Sequence, residues 1–370
     1  MMKVLLVAGA RPNFMKIAPI LAALTQRGHE CVLVHTGQHY DALMSDTFFS
    51  ELGISDPDWH LGAGGGSQAE QLARVILGFE PVLLKVRPDW VVVVGDVTST
   101  LGAALVTAKL KGEVGCRLAH VEAGLRSNDW NMPEEVNRVL TDRVSDLLLT
   151  PSEDANANLA REGIASECTV FVGNVMIDTL MAQLESSRER KVAPRLGLEP
   201  KKYALLTLHR PSNVDDPGML TMIMNGIQKL SETVPVVFPV HPRTRERIAS
   251  LHDFDPSTSL LLIEPVPYRD MLSLTGDAAL VLTDSGGLQE ETTILGIPCV
   301  TLREQTERPI TVSEGTNTLI PWPPTVEGIL AYAMAAMNDP RRSEPRRPDG
   351  WDGAAAMRVA AAMEERTGNR

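Results

Sequence analysis

The feature that most constrains this chain is a rhythm, in which short runs rich in Val and Leu alternate with longer amphipathic stretches along almost its whole length. Lys3 to Ala8, Trp90 to Val94 and Leu147 to Thr150 are apolar at nearly every position. A strand with one wet face would alternate instead, so these runs read as parallel strands covered on both faces. Cys31 to His35 and Arg117 to Val121 extend the series, and Phe14 to Gln26, Leu43 to Leu52, Gln68 to Val86, Thr98 to Lys111 and Glu134 to Val144 supply the covering helices. The first half is therefore an α/β doubly wound domain.

A second series predicts strands at Tyr203 to Leu208, Val234 to Val240, Ser259 to Ile263, Ala279 to Leu282 and Cys299 to Leu302, with helices between them. Its 370 residues make the chain long enough for two domains at roughly 150 residues each. The helix Asp178 to Lys191 and the charged, Pro-containing Val192 to Lys202 read as the connection. The boundary is placed at Val172 to Asp178, giving one Rossmann-like domain over 1–172 and another over 173–353. Ala354 to Arg366 reads as a last helix that returns to the first domain, so about 354–370 is counted with it.

Composition narrows the partners. The chain carries 35 Lys and Arg against 47 Asp and Glu, a net charge of −12, which repels nucleic acid and anionic lipid. An anionic substrate then needs a local basic site. No stretch approaches the roughly 18 apolar residues of a membrane span, and Met1 to Ala10 is too short and wrongly flanked for a signal peptide. A cytoplasmic protein is expected, without nucleic-acid or membrane partners. Cys31, Cys116, Cys168 and Cys299 lack C-x-x-C spacing and each adjoins an apolar run, so buried free thiols are expected, with no metal site.

Open parallel sheets bind ligands outside the carboxyl ends of their strands, so the residues that follow strands are the informative ones. After the first strand stands Gly9-Ala10-Arg11-Pro12-Asn13-Phe14-Met15-Lys16, a helix start with two cations that suits a phosphate or is a solvated basic turn. It has only one of the three glycines of the dinucleotide fingerprint, which disfavours NAD. Asp96 and Glu122 follow neighbouring strands, in Gly95-Asp96-Val97-Thr98-Ser99-Thr100 and His120-Val121-Glu122-Ala123-Gly124-Leu125-Arg126. Two carboxylates at adjacent strand ends suit acid/base work, their proximity raising one pKa, while Thr98 or Ser99 is available to cap the next helix. In Met132-Pro133-Glu134-Glu135 one acid belongs to the helix start, and Glu134 is taken as the functional one.

In the second series His209-Arg210 follows a strand and suits either a pyrophosphate or proton shuttling. Thr283-Asp284-Ser285-Gly286-Gly287 forms a strand end, a Ser-Gly-Gly turn and a helix start, where backbone N–H groups and the helix dipole receive a phosphate. One turn on, Glu290 or Glu291 is placed to accept from ribose hydroxyls. Arg303, Glu307-Arg308-Pro309 and Glu314 to Asn317 follow the next strand and suggest a leaving-group pocket or a salt-bridged loop. Gly62 to Ser67 reads as a mobile loop capped at Ser67, lacking the Gly-Lys-Ser/Thr of a P-loop.

Taken together, GARPNFMKIAPI, TGQHYD, GDVTST, HVEAGLRS, MPEEVNR, VGNVMIDTL, LTLHRPSNVDDP, VFPVHPRTR, LTDSGGLQEE and TERPITVSEGTN resemble the non-hydrolysing UDP-N-acetylglucosamine 2-epimerase family, from Lys3 to about Thr318. The resemblance implies a GT-B-like fold, two Rossmann-like domains with parallel sheets facing a central cleft, in a homodimer needing no cofactor. It implies reversible epimerisation at C2 of UDP-N-acetylglucosamine to UDP-N-acetylmannosamine, by elimination of UDP to a 2-acetamidoglucal and re-addition. A hydrolysing epimerase and a GT-B glycosyltransferase are the alternatives. Position by position, it places Asp96, Glu122, Glu134 and His209 in the catalytic set with Lys16 in support, and assigns Arg11, Ser285, Gly286, Gly287 and Glu291 to UDP, with Glu291 on the ribose. Arg210 and Arg308 fall in matching motifs as substrate contacts. Met271 stands where the best-known bacterial form has an aromatic residue on the uracil, and Pro211 where it has a second arginine after the histidine. Gln38-His39-Tyr40-Asp41 occupies the segment associated with allosteric binding of the substrate.

Overall fold

The computed structural model describes residues 1–38, 46–251, 254, 257–340 and 344–368. The chain divides into two compact units, Met1–Thr179 with Asp349–Arg370, and Leu180–Pro348. The expected boundary at 172–178 lies just ahead of this division, which falls within the helix Val175–Arg188.

Unit 1 is built on seven strands: β1 (Lys3–Ala8), β2 (Glu30–His35), β3 (Trp59–His60), β4 (Trp90–Val94), β5 (Arg117–Val121), β6 (Leu147–Thr150) and β7 (Thr169–Phe171). Their spatial order is β3-β2-β1-β4-β5-β6-β7, and every pairing is parallel. All five residues of β4 are buried, as its unbroken apolar run requires of a central strand. The helices Gln68–Val86 and Thr98–Val114 cover this core, Phe79 and Leu83 packing on Val91 and Val93. Ser67 caps the first of them by accepting from the Glu70 N–H, a contact worth about 1 kcal/mol.

Unit 1 is completed by the chain's last described segment. The buried Trp351 donates its indole N–H to the Pro151 carbonyl at 3.1 Å, and the helix Ala355–Gly368 packs on the helix Arg11–Gln26. Asp178 accepts from the N–H groups of Ala355 and Ala356, satisfying donors that the start of that helix leaves without partners. Burial is the main influence that lifts the Asp178 carboxyl above its usual range.

Unit 2 carries β8 (Ala204–Thr207), β9 (Val236–Pro239), β10 (Leu260–Ile263), β11 (Leu280–Thr283), β12 (Cys299–Thr301) and β13 (Asn317–Leu319). The order is β10-β9-β8-β11-β12-β13, again parallel throughout. Its core joins Leu206, Phe238, Leu282 and Val300 to the helices Pro217–Ser231 and Val326–Asn338.

Three short strands, β3, β7 and β13, and the helices Glu153–Arg161 and Val326–Asn338 have no counterpart among the expected elements. At two or three residues, such strands are too brief to show a period. None of the four cysteines is in a disulfide, and Cys116 and Cys299 are buried whereas Cys31 and Cys168 are half-buried. Among the described residues no helix is long and apolar enough to cross a membrane, and no group of three or more His, Cys, Asp or Glu is arranged to hold a metal ion.

Candidate active site

In each sheet the strand order reverses once, beside β1 and β4 in unit 1 and beside β8 and β11 in unit 2. A crevice opens at such a reversal because successive crossovers leave in opposite directions. The candidate residues gather at both places.

In unit 1, Asn13 ties the turn after β1 to the end of β4. Its side-chain carbonyl accepts from the N–H groups of Gly9 and Ala10 at 3.2 and 3.1 Å, and its amide donates to the Val94 carbonyl at 3.1 Å. One turn further along the same helix, the buried Lys16 ammonium pairs with the Glu122 carboxylate, which follows β5. Glu122 has a backbone φ of +69°, a left-handed conformation that costs a non-glycine residue free energy and persists only where the surroundings enforce it. The Leu149 carbonyl enforces it here, receiving the N–H groups of both Glu122 and Ala123.

Gly95 forms the wall of this ion pair. Its φ is +64°, and a Cβ there would stand 2.9 Å from the Lys16 Nζ and 3.3 Å from the Glu122 Oε2. Only glycine meets both demands. Asp96 follows, its carboxylate paired with the Arg138 guanidinium and its carbonyl accepting from the Asn137 amide at 2.8 Å. Each carboxylate thus faces a cation, Lys16 for Glu122 and Arg138 for Asp96.

The two acids of the helix Pro133–Val144 separate cleanly. Glu135 is buried and accepts from the Ser127 N–H, the Ser127 hydroxyl and the Asn128 N–H, each at 2.9 Å, while pairing with Arg138 at 2.8 Å. It is a structural anchor. Glu134 is half-buried with no side-chain hydrogen bond among the described residues, and lies four positions before Arg138 on the helix face that reaches Asp96. Below this layer His120, fully buried, faces the Gly95 carbonyl through Nε2 at 2.8 Å and the Asp142 carboxylate through Nδ1 at 2.6 Å. Burial opposes ionisation of Asp142, but His120 and Arg126 outweigh it and hold its carboxyl below the ordinary range. Arg11 opens the helix Arg11–Gln26, half-buried.

In unit 2 the hub is Asp284, entirely buried at the end of β11. Its carboxylate accepts from the N–H groups of His209 and Arg210 and from the Asn213 amide, all near 3.0 Å, and meets the His209 Nδ1 at 2.7 Å. Burial opposes its ionisation, yet these partners hold its carboxyl below the ordinary range. The imidazole of His209 is thereby fixed at one nitrogen while its side chain stays 56% exposed. That is how an acid orients a histidine for use at its other nitrogen.

The Ser285-Gly286-Gly287 turn opens the helix Gly286–Leu295 beside it. Ser285 makes no capping bond, and a Cβ on Gly286 would meet nothing within 4 Å. Neither packing nor backbone conformation calls for glycine at 286, and its effect is to leave helix N–H groups open to an approaching anion. Further along the helix, Glu290 is held by the Arg308 guanidinium, and Glu291 accepts from the Tyr268 hydroxyl at 3.0 Å. Burial pushes the Glu291 carboxyl up to about 7, with Glu290 adding to the rise and the Tyr268 hydrogen bond opposing it. Arg303 grips Glu307 with two bonds of 2.7 and 2.9 Å, and Arg210 approaches the same carboxylate at 3.5 Å. Burial alone would raise Glu307, but the surrounding arginines drive it well below the carboxylate range. The 303–308 loop is therefore salt-bridged. Met271 is half-buried against Tyr203, Leu274 and their neighbours.

Several local expectations give way. Neither Thr98 nor Ser99 caps its helix; Ser99 meets Gln38 and Thr36 through its hydroxyl, and Thr100 bonds the Val94 carbonyl. The 62–67 turn, expected to be mobile, is tied by Arg74, whose guanidinium donates to the Ala63, Gly64 and Gly65 carbonyls. Gln38 accepts from Ser99, while 39–41 lie outside the described residues. Asn13, Asp142, Tyr268 and the hub role of Asp284 were not anticipated. Asp284 alone had a signal, being an acid at the first position after a strand.

The sequence profile described as UDP-N-acetylglucosamine 2-epimerase matches residues 22–364. The chain belongs to the UDP-N-acetylglucosamine 2-epimerase family. It is 43% identical over 327 residues to the UDP-N-acetylglucosamine 2-epimerase of Methanocaldococcus jannaschii, covering 86% of this chain and 88% of that one. It is also 43% identical over 324 residues to the UDP-2,3-diacetamido-2,3-dideoxy-D-glucuronate 2-epimerase of Pseudomonas aeruginosa, covering 86% and 88%. The crystal structure of the M. jannaschii UDP-GlcNAc 2-epimerase in complex with UDP-GlcNAc and UDP matches with a TM-score of 0.89 at 39% identity, over 98% of this chain and all of that one. This epimerase-family chain thus has the α/β, GT-B-like fold of two Rossmann-like, parallel-sheet domains.

Proposed function

We propose that this epimerase inverts C2 of UDP-N-acetylglucosamine without net hydrolysis, giving UDP-N-acetylmannosamine. The observation that carries the proposal is the set of carboxylates at the unit 1 switch point: Asp96 on Arg138, Glu122 on Lys16, and Glu134 on the helix face that reaches Asp96. The C2 proton is not adjacent to a carbonyl, so a side-chain base has no stabilised carbanion to generate in the ground state. The anomeric bond loosens first. Its electron pair leaves with the β-phosphate oxygen of UDP, oxocarbenium character at C1 acidifies C2–H, and a carboxylate takes that proton as the C1–C2 double bond forms. The intermediate is 2-acetamidoglucal. Protonation at C2 from the opposite face and addition of the UDP oxygen at C1 complete the inversion.

Asp96, Glu122 and Glu134 serve the two proton transfers, and Lys16 is the counter-ion of Glu122. The open helix start at Ser285, Gly286 and Gly287 receives the diphosphate, Glu291 the ribose hydroxyls and Met271 the uracil. Arg11, Arg210 and Arg308 balance charge on the departing UDP, and His209, oriented by Asp284, acts at the diphosphate or in proton transfer. The P. aeruginosa relative, no less identical than the archaeal one, favours a second reading in which the sugar is a 2,3-diacetamido glucuronate. A cytoplasmic homodimer is also proposed, and sedimentation of the purified chain measures its mass.

Proton NMR in D₂O of the protein with each UDP-sugar tests these readings. UDP-N-acetylmannosamine bearing deuterium at C2 is the expected product. Free N-acetylmannosamine with UDP assigns a hydrolysing epimerase, and exchange with the diacetamido glucuronate alone assigns the second sugar. An inert C2–H in every sample, with turnover only when an acceptor is added, assigns a transferase.

A further inference from the structure

We infer that His120 is a positioning residue for the proton-transfer chemistry, acting through the Gly95 carbonyl; this rests on the reading of the unit 1 switch point as the catalytic half of the site. The Gly95-Asp96 turn joins the two ion pairs, since Gly95 walls the Lys16–Glu122 pair and Asp96 carries the second carboxylate. Besides the Gly95 N–H bond to the Val121 carbonyl and the Thr100 hydroxyl on the Val94 carbonyl, three side chains from elsewhere in the unit hold it: Asn13 on the Val94 carbonyl, Asn137 on the Asp96 carbonyl, and His120 on the Gly95 carbonyl. The first two are amides on helices beside the turn. His120 is different because it comes from β5, the strand that leads into Glu122, and it is itself locked by Asp142.

The imidazole therefore couples three elements with one ring. Nδ1 meets the Asp142 carboxylate, whose other oxygen accepts from the Gly124 N–H and pairs with Arg126, so the loop after β5 is fixed through the same acid. Nε2 meets Gly95 at the end of β4. The Gly95 N–H already donates to the Val121 carbonyl at 3.0 Å at the end of the β4–β5 ladder, and the ring adds a second tie on the carbonyl side of the same residue, which fixes the orientation of the peptide that leads into Asp96. A shift of about 1 Å at such a position costs on the order of 100-fold in rate.

The two ring nitrogens allow the role to be separated from mere support of the fold. An asparagine amide stands near the place of Nδ1 and a glutamine amide near that of Nε2, so His120→Asn keeps the Asp142 contact and His120→Gln keeps the Gly95 contact. For His120→Asn we expect kcat for C2 epimerisation to fall about 10- to 100-fold with KM within about threefold, and UDP affinity, read by titration calorimetry, to be unchanged. For His120→Gln, which keeps the Gly95 bond but gives up the Asp142 lock, we expect a smaller fall in kcat than in His120→Asn, about 3- to 10-fold. Wild-type turnover in the same assay tests the reaction itself, and the ratio between the variants tests His120. Parent-like kcat in His120→Asn would overturn the inference. So would equal losses in both variants that track equal falls in melting temperature, because that pattern belongs to a purely structural histidine. Asp142→Asn supplies an independent check: it frees the ring to turn, and its kcat is expected to fall with KM held.

Discussion

The two switch points use charge in opposite ways. In unit 1 the carboxylates after β4 and β5 are each paired with a cation, Lys16 for Glu122 and Arg138, shared with Glu135, for Asp96, and the glycine among them is required by the protein's own atoms. In unit 2 the glycine at 286 has empty space around it, and the nearby Glu291 carboxyl is raised to about 7 by burial. The contrast separates a set of groups fixed in place by one another from a helix start that packing leaves open. Chemistry that must place a proton to within a fraction of an ångström asks for the first; binding of a flexible nucleotide is served by the second.

Removing the unit 1 carboxylates should give the largest effect. Asp96→Asn and Glu122→Gln are each expected to lower kcat about 1,000-fold while UDP still binds within about threefold, measured by C2 deuterium exchange and calorimetry. A variant with near-normal exchange would remove that residue from the reaction. In unit 2 the corresponding test is of stability. Glu291 has its carboxyl raised from 4.5 to about 7 in the folded state, so the folded chain holds more protons than the unfolded one between those values. Stability should therefore fall as pH rises from about 4.5 to about 7 and level off above, by on the order of 3 kcal/mol. Urea unfolding of Glu291→Gln against the parent at pH 5 and pH 7.5 checks this, since the variant should lack that part of the slope.

The glycines sharpen the comparison further. Gly95→Ala places a Cβ 2.9 Å from the Lys16 Nζ in a left-handed backbone, and should cost about 1–2 kcal/mol of stability together with a roughly 30-fold loss of kcat. Gly286→Ala should leave the melting temperature unchanged or slightly higher, and weaken UDP about 10-fold in calorimetry. If Gly286→Ala lowered stability and spared UDP, the contrast drawn between the two glycines would collapse.

Much of this arrangement was legible in the chain because parallel strands advertise themselves. The central strands have no polar face, so β1, β4, β5, β6 and β11 were found at or within a residue of their ends, and with them the turns at Gly9, Gly95, Glu122 and Ser285. Candidate residues that follow strands were visible for that reason alone. Their partners were not, because sequence carries no record of which side chains fold together. Asn13 reaches Val94 across 81 positions, His120 meets Asp142 across 22, and His209 depends on an acid 75 positions away. The cation beside Asp96 was hidden for the same reason, since Arg138 lies 42 positions further along the chain. Glu134 and Glu135 are identical in composition and adjacent in sequence, and only helix phase tells which is anchored and which is free to act.

The return of the last helix to unit 1 bears on the order in which this protein can be made. Unit 2 is complete at Pro348, whereas the segment carrying Trp351 and the helix Ala355–Gly368 is synthesised only afterwards. At about 5–20 residues per second, translation of the intervening unit occupies roughly 10–30 s. Throughout that time the helix Arg11–Gln26 lacks its cover and Asp178 lacks the N–H groups it will cap. The half of the molecule that begins first is thus the half that finishes last, because unit 1 waits for a closing helix that is synthesised after all of unit 2.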